Sequence, residues 1–345
     1  MPTILGIEST CDETAAAVVV DGVRVISNVV SSQAAIHAQY RGVVPEIASR
    51  AHIESILPVL TESLQTAGRI DWNSIDAIAV AHRPGLIGSL LIGVTAAKTL
   101  AWALGKPLIG IDHVHAHLYS VMLDSAATLE LPAVGLVCSG GHTAIYLVRD
   151  WLDVTLVGST IDDAVGEAYD KVAAILGLGY PGGPIVDRLA QTGDPAAIRF
   201  PRTLLDRESL DFSFSGLKTA VLYHVRGVPR RGQNVKDHPP LNLSDVELAN
   251  VAASFQSACI DVLRTKLQRA AERFTAKSII VGGGVSANRG LRHALARFDL
   301  PVHFPQLPYC TDNAAMSAGL AHVYFERGQF SGLDLDAITF SAFRN

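Results

Sequence analysis

Apolar runs of strand type alternate with segments of helical period along the chain, the pattern of an α/β protein. "ILGIESTCDETAAAVVVDG" (4–22) reads as strand, polar turn, strand, and "AVGLVCSGGHTAIYLVRD" (133–150) has the same plan. Gly6 and Thr14 are eight positions apart, as are Gly135 and Thr143, and Ala follows each Thr. A repeat at this distance predicts two similar lobes, each opening with a β-hairpin. "SIDAIAVA" (74–81) and "PLIGI" (107–111) are further strands. "IESILPVLTESLQTA" (53–67) reads as an amphipathic helix despite Pro58, and 245–274 as a long helical region. Residues 226–247 are polar, Pro-rich and basic at their start, which predicts a surface loop.

The run 85–105, "GLIGSLLIGVTAAKTLAWALG", comes nearest to a membrane span. Lys98 lies inside it and would cost about 2.5–3.5 kcal/mol at mid-membrane, so a packed core helix is the expectation. The first strand begins near Thr3, which leaves no room for a signal or transit peptide. Cys11, Cys138, Cys259 and Cys310 are scattered without a CxxC. That excludes a cysteine-only zinc site and points to a reducing, cytoplasmic setting. With 345 residues, two domains are expected. We place them at 1–128 and 129–345, the last helix packing back on the first lobe. The net charge of −5 supplies no general field toward nucleic acid, so such a partner would need a local basic patch.

Residues 113–117 read His-Val-His-Ala-His. Asp112 is a good N-cap for a helix starting at His113. On that helix His113 and His117 are i and i+4 and share a face, as metal ligands do, although a plain capped surface helix has the same spacing. His115 lies about 200° around the axis and is not expected to be a ligand. Val114 stands where a zinc peptidase of the HExxH type has its Glu, which excludes that class. A third ligand is available in "YCTDNAAMSAGLAHVYF" (309–325), where Thr311 or Asp312 is expected to cap a helix. Two His and one carboxylate suit Fe(II) or Zn(II) and leave positions open for substrate.

Three glycine turns follow. "CSGGHTA" (138–144) sits at a hairpin, where successive N–H groups can cradle phosphate. "IIVGGGVSANRGLRHAL" (279–295) holds Gly282-x-Gly284-x-x-Ala287, close to the dinucleotide fingerprint, but no acid ends the next strand. We read it as close approach to a nucleoside, with Asn288 free to hydrogen-bond. "GYPGGPIVDRLA" (179–190) carries Asp187 one turn into its helix. No Walker A motif is present. In "STIDDAVGEAYDKVAAILGLG" (159–179), Asp163, Glu167 and Asp170 fall on one helical face beside Asp162. A solvated acidic face is the plain reading, and the flanking glycine turns direct Asp170 toward a ribose.

"GIESTCDET", "HAQYRGVVPEIASRAH", "VCSGGHT", "SIDDAVGEAYDKVA", "YPGGP", "DFSFSGLKTA", "GGGVSAN" and "TDNAAM" together resemble the bacterial tRNA adenosine threonylcarbamoyltransferase (TsaD) family, nearly end to end. Arg41 and Arg83 stand where that family usually has Gly. The resemblance implies an α/β fold of the actin/Hsp70/sugar-kinase-like (ASKHA) type, with two duplicated RNase H-like lobes and a nucleotide cleft between them. It implies one divalent metal per chain, Fe or Zn, on His113, His117 and Asp312. Nucleotide-type contacts fall on Val137, Cys138, Ser139, Gly140, Gly141, Asp170, Gly183, Asp187 and Asn288. The implied reaction moves a threonylcarbamoyl group from threonylcarbamoyl-AMP to N6 of adenine 37, in the anticodon loop of tRNAs that read codons starting with A. An ATP- or ADP-type nucleotide would fit the same cleft. Asp12 and Glu13, in the first hairpin turn, are candidates for the catalytic base. Implied partners are tRNA, a TsaB-like paralogue, a TsaE-like ATPase and a TsaC-like synthase that supplies the donor, with no membrane. Arg199, Arg202, Arg207 and the 226–236 loop are the local cations available to tRNA. The alternatives are an ATPase or kinase of the same fold, or a non-catalytic ATP-binding scaffold.

Overall fold

A computed structural model describes residues 1–340 except 41, 69, 126–127, 205, 207 and 229–241. Arg41, Arg207 and most of the 226–247 loop therefore lie outside the described residues. The first half contains β1 (Thr3–Glu8), β2 (Glu13–Val20), β3 (Arg24–Ser32), α1 (Ala34–His37), α2 (Pro45–Thr66), β4 (Ala77–Arg83), α3 (Ile87–Leu104), β5 (Leu108–Asp112) and α4 (His113–Tyr119). The second half contains β6 (Ala133–Cys138), β7 (Thr143–Asp150), β8 (Asp153–Ser159), α5 (Val165–Ile175), α6 (Gly182–Ala190), α7 (Ser215–Arg226), α8 (Asp245–Arg273), β9 (Ser278–Gly282), α9 (Arg289–Leu295), β10 (Val302–His303) and α10 (Ala314–Glu326).

The strands form two five-stranded sheets, ordered β3-β2-β1-β4-β5 and β10-β9-β6-β7-β8. Read from the opposite edge, the second repeats the first: third strand, second, first, fourth, fifth. Each opens with an antiparallel hairpin, β1 with β2 and β6 with β7, and continues with parallel partners. The repeat expected from the hairpin pattern is thus present in the topology.

Both faces of each sheet are covered, which is why the strands are almost continuously apolar. On the first sheet, Leu5, Ile7, Val18 and Val80 pack with α2 and α3. Ile4, Ala17, Val19 and Ala79 pack under α10. On the second sheet, Leu136, Ile145 and Val281 pack with α5, α8 and their neighbours. Val137, Ala144, Tyr146 and Ile280 pack under Val114 and Leu118 of α4. The two inner helices are therefore exchanged. Helix α4 follows the first sheet but lies on the second; α10 follows the second but lies on the first.

Glycines at equivalent repeat positions permit this exchange. A Cβ on Gly6 would collide with the carbonyl oxygen of Ala314 in α10, and one on Gly135 with Leu118 in α4. Some boundaries differ from the sequence reading. Helix α2 starts at Pro45, eight residues early, because Pro is well placed at the first helical position and the polar stretch before residue 53 lies on the helix all the same. Residues 72–74 form a 3-10 turn capped by Asp71 rather than the start of a strand. Helix α3 buries Leu90, Val94, Ala97 and Ala101 but leaves Ile87, Leu91 and Trp102 exposed, so it packs by one face only. Helix α8 carries a full capping box of Ser244 and Glu247.

Gly6→Ala is expected to destabilise the fold by about 1–3 kcal/mol, because a backbone carbonyl cannot yield to the added methyl. Gly42→Ala, whose Cβ would meet nothing within 4 Å, is expected to leave stability unchanged. Denaturant unfolding of both variants checks this; equal midpoints would contradict the close-approach argument.

Candidate metal centre and adjoining cleft

The histidine helix forms as its sequence predicts. Asp112 Oδ1 accepts from the backbone N–H of Val114 at 3.0 Å and of His115 at 3.4 Å. His113 and His117 share one face, with ring centroids 4.6 Å apart. The exchange of helices brings the start of α10 against that face. Asp312 Oδ1 lies 3.1 Å from His117 Nε2 and 3.6 Å from His113 Nε2. Candidate ligand atoms of the three residues all lie within 4.8 Å of one another. His115 is buried on another side of α4, its ring 6.5 Å from that of Tyr146, and is not part of the cluster.

One expectation needs correction. The cap of α10 is Asn313, whose Oδ1 accepts from Met316 N at 3.1 Å, not Thr311 or Asp312. Asp312 sits one residue outside the cap. Its carboxylate is not needed by the helix and turns to the histidines instead.

The sequence reading missed the groups behind these ligands. Glu8, the fully buried last residue of β1, places Oε2 3.1 Å from His113 Nδ1. Its Oε1 accepts from Thr10 N at 2.8 Å, and Thr10 Oγ1 is 3.3 Å from the same imidazole nitrogen. His113 Nδ1 is thus held from behind while Nε2 faces Asp312. An acid ending an otherwise apolar strand in "ILGIE" was the available signal.

Burial alone would lower the pKa of His113, but the carboxylates of Glu8 and Asp312 outweigh it and raise the group to about 9. Burial lowers His117 despite its bond to Asp312. Asp312 is held well below the usual carboxylate range: burial opposes this, and His113 and His117 prevail. In the first hairpin turn, burial and the charges of Asp312 and Asp12 push Glu13 up to about 10, so it carries its proton at neutral pH. His142 belongs to the second hairpin turn. Burial, then His113 and His117, lower it to about 4 and leave it a neutral imidazole beside the cluster. It too escaped the sequence reading.

That second turn leads from the His/Asp cluster into the glycine region. Ser139 N donates to His142 O at 2.8 Å, and the N–H of His142 donates to Ser139 Oγ at 3.1 Å. Cβ atoms on Gly140, Gly141 or Gly183 would enter open space. Gly166 N donates to Ser139 O at 3.1 Å, which seats the start of α5 on the turn. Val137 and Cys138 are fully buried, so their side chains belong to the packed core and only their backbone could face a ligand. Gly282 and Gly283 are packed rather than open. Cβ atoms there would strike the carbonyls of His117 and Cys138, tying the histidine helix to the second turn. The chain continues as a 3-10 turn over Gly284–Ala287, not as the α-helix a dinucleotide fingerprint opens.

Asp170 Oδ1 accepts from Gly182 N at 2.7 Å and holds the start of α6. Asp187 and Asn288 converge on Gln256 of α8. Gln256 Nε2 donates to Asp187 Oδ1 at 3.1 Å, and Asn288 Nδ2 donates to Gln256 Oε1 at 2.7 Å. Asn288 Oδ1 also caps α9 by accepting from Leu291 N at 2.8 Å. Asp163 does not join Glu167 and Asp170 on a helical face, because α5 begins only at Val165. Asp163 bonds Lys171 and Lys218 at 2.6 and 2.7 Å, Glu167 pairs with Lys171 at 2.8 Å, and Asp162 accepts from Phe214 N at 2.8 Å at the start of α7. Those three acids serve the fold.

Known proteins match along the whole chain. A tRNA N6-adenosine threonylcarbamoyltransferase of Moorella thermoacetica is 51% identical over 97% of this chain and 95% of its own. One from Syntrophobacter fumaroxidans is 49% identical over 97% and 98%. Among solved structures, HypF from T. kodakarensis aligns with a TM-score of 0.58 at 15% identity, covering 97% of this chain and 49% of that one. Component A of the Acidaminococcus fermentans (R)-2-hydroxyglutaryl-CoA dehydratase aligns at 0.51 and 12% identity, over 95% and 99%. The two repeated sheets and the exchanged helices are those of the actin/Hsp70/sugar-kinase-like fold. The family described as TsaD, tRNA N6-adenosine threonylcarbamoyltransferase, matches residues 24–319, and this chain belongs to it.

Proposed function

We propose that this protein transfers the threonylcarbamoyl group of threonylcarbamoyl-AMP to N6 of adenine 37 in tRNAs that read codons beginning with A. The observation that carries the reading is the convergence of His113, His117 and Asp312 beside an open glycine turn. In this reading the lobes are residues 1–128 and 129–345, with α10 returned to the first.

The donor is a mixed anhydride whose leaving group is AMP. The adenine amine is a poor nucleophile, since its lone pair is delocalised into the ring. The buried imidazoles, the carboxylate and the excess of acids around them fit a divalent cation such as Fe or Zn. Bound there, such an ion supplies Lewis-acid polarisation of the acyl oxygen and fixes its orientation. Glu8 keeps the His113 ring directed at the site. The amine forms a C–N bond to the carbamoyl carbon, and the C–O bond to AMP breaks with its electrons passing to phosphate. Amides of Gly140 and Gly141 are placed to meet that charge. Asp12 takes the amine proton in this scheme. Glu13 stands next to it in the same turn as the second candidate. Asp170, Gly183, Asp187 and Asn288 frame the nucleotide side.

tRNA is the substrate in this scheme, and we assign the protein to the cytoplasm with it. Arg199 and Arg202 contribute local cations. Ile53 and Leu57 on α2, with Ile87, Leu91 and Trp102 on α3, form an exposed apolar face suited to a TsaB-like paralogue. A TsaE-like ATPase and a TsaC-like synthase complete the proposed set.

Mixing the protein with threonylcarbamoyl-AMP, unmodified tRNA and these partners, then analysing nucleosides by mass spectrometry, tests the function; absence of modified adenosine under all combinations would refute it. In the same assay Asp312→Ala and His117→Gln are expected to lose bound metal and transfer together. His115→Gln keeps metal occupancy and most activity. Emission spectrometry of the purified variants reads the metal, and equal loss in His115→Gln would overturn the ligand set.

Metal binding displaces the proton that His113 carries below a pKa of about 9. Apparent metal affinity is therefore expected to rise with pH up to about 9 and then level off. Chelator competition across that range measures it; a flat profile counts against the His113 assignment. Finally, Gly141→Val should block nucleotide binding, because its branched side chain fills the open space over the turn. Calorimetric titration with ADP decides this, and unchanged affinity in a folded variant would place the nucleotide elsewhere.

A further inference from the structure

Strand β4 ends in a bulge. Ala81 pairs with Ile111, but Arg83 rather than His82 pairs with Asp112. One extra residue on a strand re-aims the side chains that follow it. Here it turns His82 toward the C-terminal segment, where its Nδ1 lies 2.8 Å from Asp336 O. Arg83 takes the place beside Asp112, with Nε 3.4 Å from Oδ2, an ion pair rather than a hydrogen bond. The Asp112 side chain is only 1% exposed. Its other oxygen, Oδ1, caps α4 through Val114 N and His115 N.

One buried carboxylate therefore faces a guanidinium on one side and the start of the histidine helix on the other. Helix α4 has seven residues, from His113 to Tyr119. A helix this short has little stability of its own and depends on its cap and its packing. The two histidines occupy its first and fifth positions, so a small swing of the first turn displaces His113 directly. We propose that Arg83 is a positioning residue for the metal-holding helix. Its guanidinium fixes the Asp112 carboxylate in the orientation that caps α4, and so sets where His113 and His117 point. Among the described residues Arg83 pairs with Asp112 and with none of His113, His117 and Asp312. It acts on α4 through Asp112, at the back of the helix. This inference rests on the metal reading for its consequence, though not for the structural link.

The test uses Arg83→Gly and Arg83→Lys in the full-length protein, with two readouts. The first is hydrogen exchange of the α4 amides in metal-free protein, compared with the amides of α8. The second is Zn2+ affinity by chelator competition. In Arg83→Gly, α4 is expected to exchange about tenfold faster while α8 is unchanged, and Zn2+ to bind about tenfold more weakly, the lower end of what outer-shell partners contribute. Arg83→Lys keeps the charge without the planar fork and is expected to fall between wild type and Arg83→Gly. Should Arg83→Gly not fold, the Lys variant alone decides, by a partial effect confined to α4. Exchange and affinity both within twofold of wild type would overturn the proposal, as would equal acceleration of α4 and α8. If wild-type protein takes up no Zn2+ at the histidines, the metal reading fails, and the exchange measurement still decides the role of Arg83.

Discussion

The site depends on the exchange of two helices between two sheets. Helix α4 leaves β5 and lies on the second sheet, and α10 leaves the second half and lies on the first. Because the repeat is approximately symmetric, the two helices start near one another, between the sheets. The ligand residues sit at those starts, His113 and His117 on α4 and Asp312 just before α10. Packing of this kind requires backbone to approach backbone. Gly6 and Gly135 stand at matching points of the repeat and make the room.

Electrostatics at the crossing favours the proposed cation. Glu8, Asp312, Asp12 and Glu13 gather around two buried imidazoles, and desolvated carboxylates repel one another strongly. Protons relieve this repulsion: His113 is held charged and Glu13 neutral. A divalent ion would take over that role. It would release the proton of His113 and lower the pKa of Glu13, since a nearby positive charge favours the ionised carboxyl.

The glycine turns beside the cluster divide their work differently. Ser139 to His142 provide an open turn, whereas Gly282 and Gly283 are filled by neighbouring carbonyls and connect that turn to α4. Gln256, deep in α8, ties Asp187 to Asn288 and so joins α6 to α9. Several acids that look available in the sequence are already occupied. Asp163 holds two lysines, Asp162 accepts from the backbone at the start of α7, and Asp170 spends one oxygen on the start of α6.

Much of the architecture was legible from local pattern. The hairpin repeat, the cap at Asp112, the i and i+4 histidines and the long α8 all follow from short-range chemistry, because caps and periodicity act within a few residues. The quoted motifs carried the family as well. Contacts between distant segments were not legible. No pattern in "GIEST" says that Glu8 will stand behind His113, 105 positions away. None says that a bulge will bring Arg83 onto Asp112, or that His142 will face the cluster from the second hairpin turn. Even Asp312 was assigned the wrong local duty, since its neighbour Asn313 caps the helix. The sequence by itself determined which elements form and which residue types could bind a metal. Only the tertiary structure decided which of them meet, because the exchange of α4 and α10 is a matter of packing between segments some 200 residues apart, and no local preference encodes it.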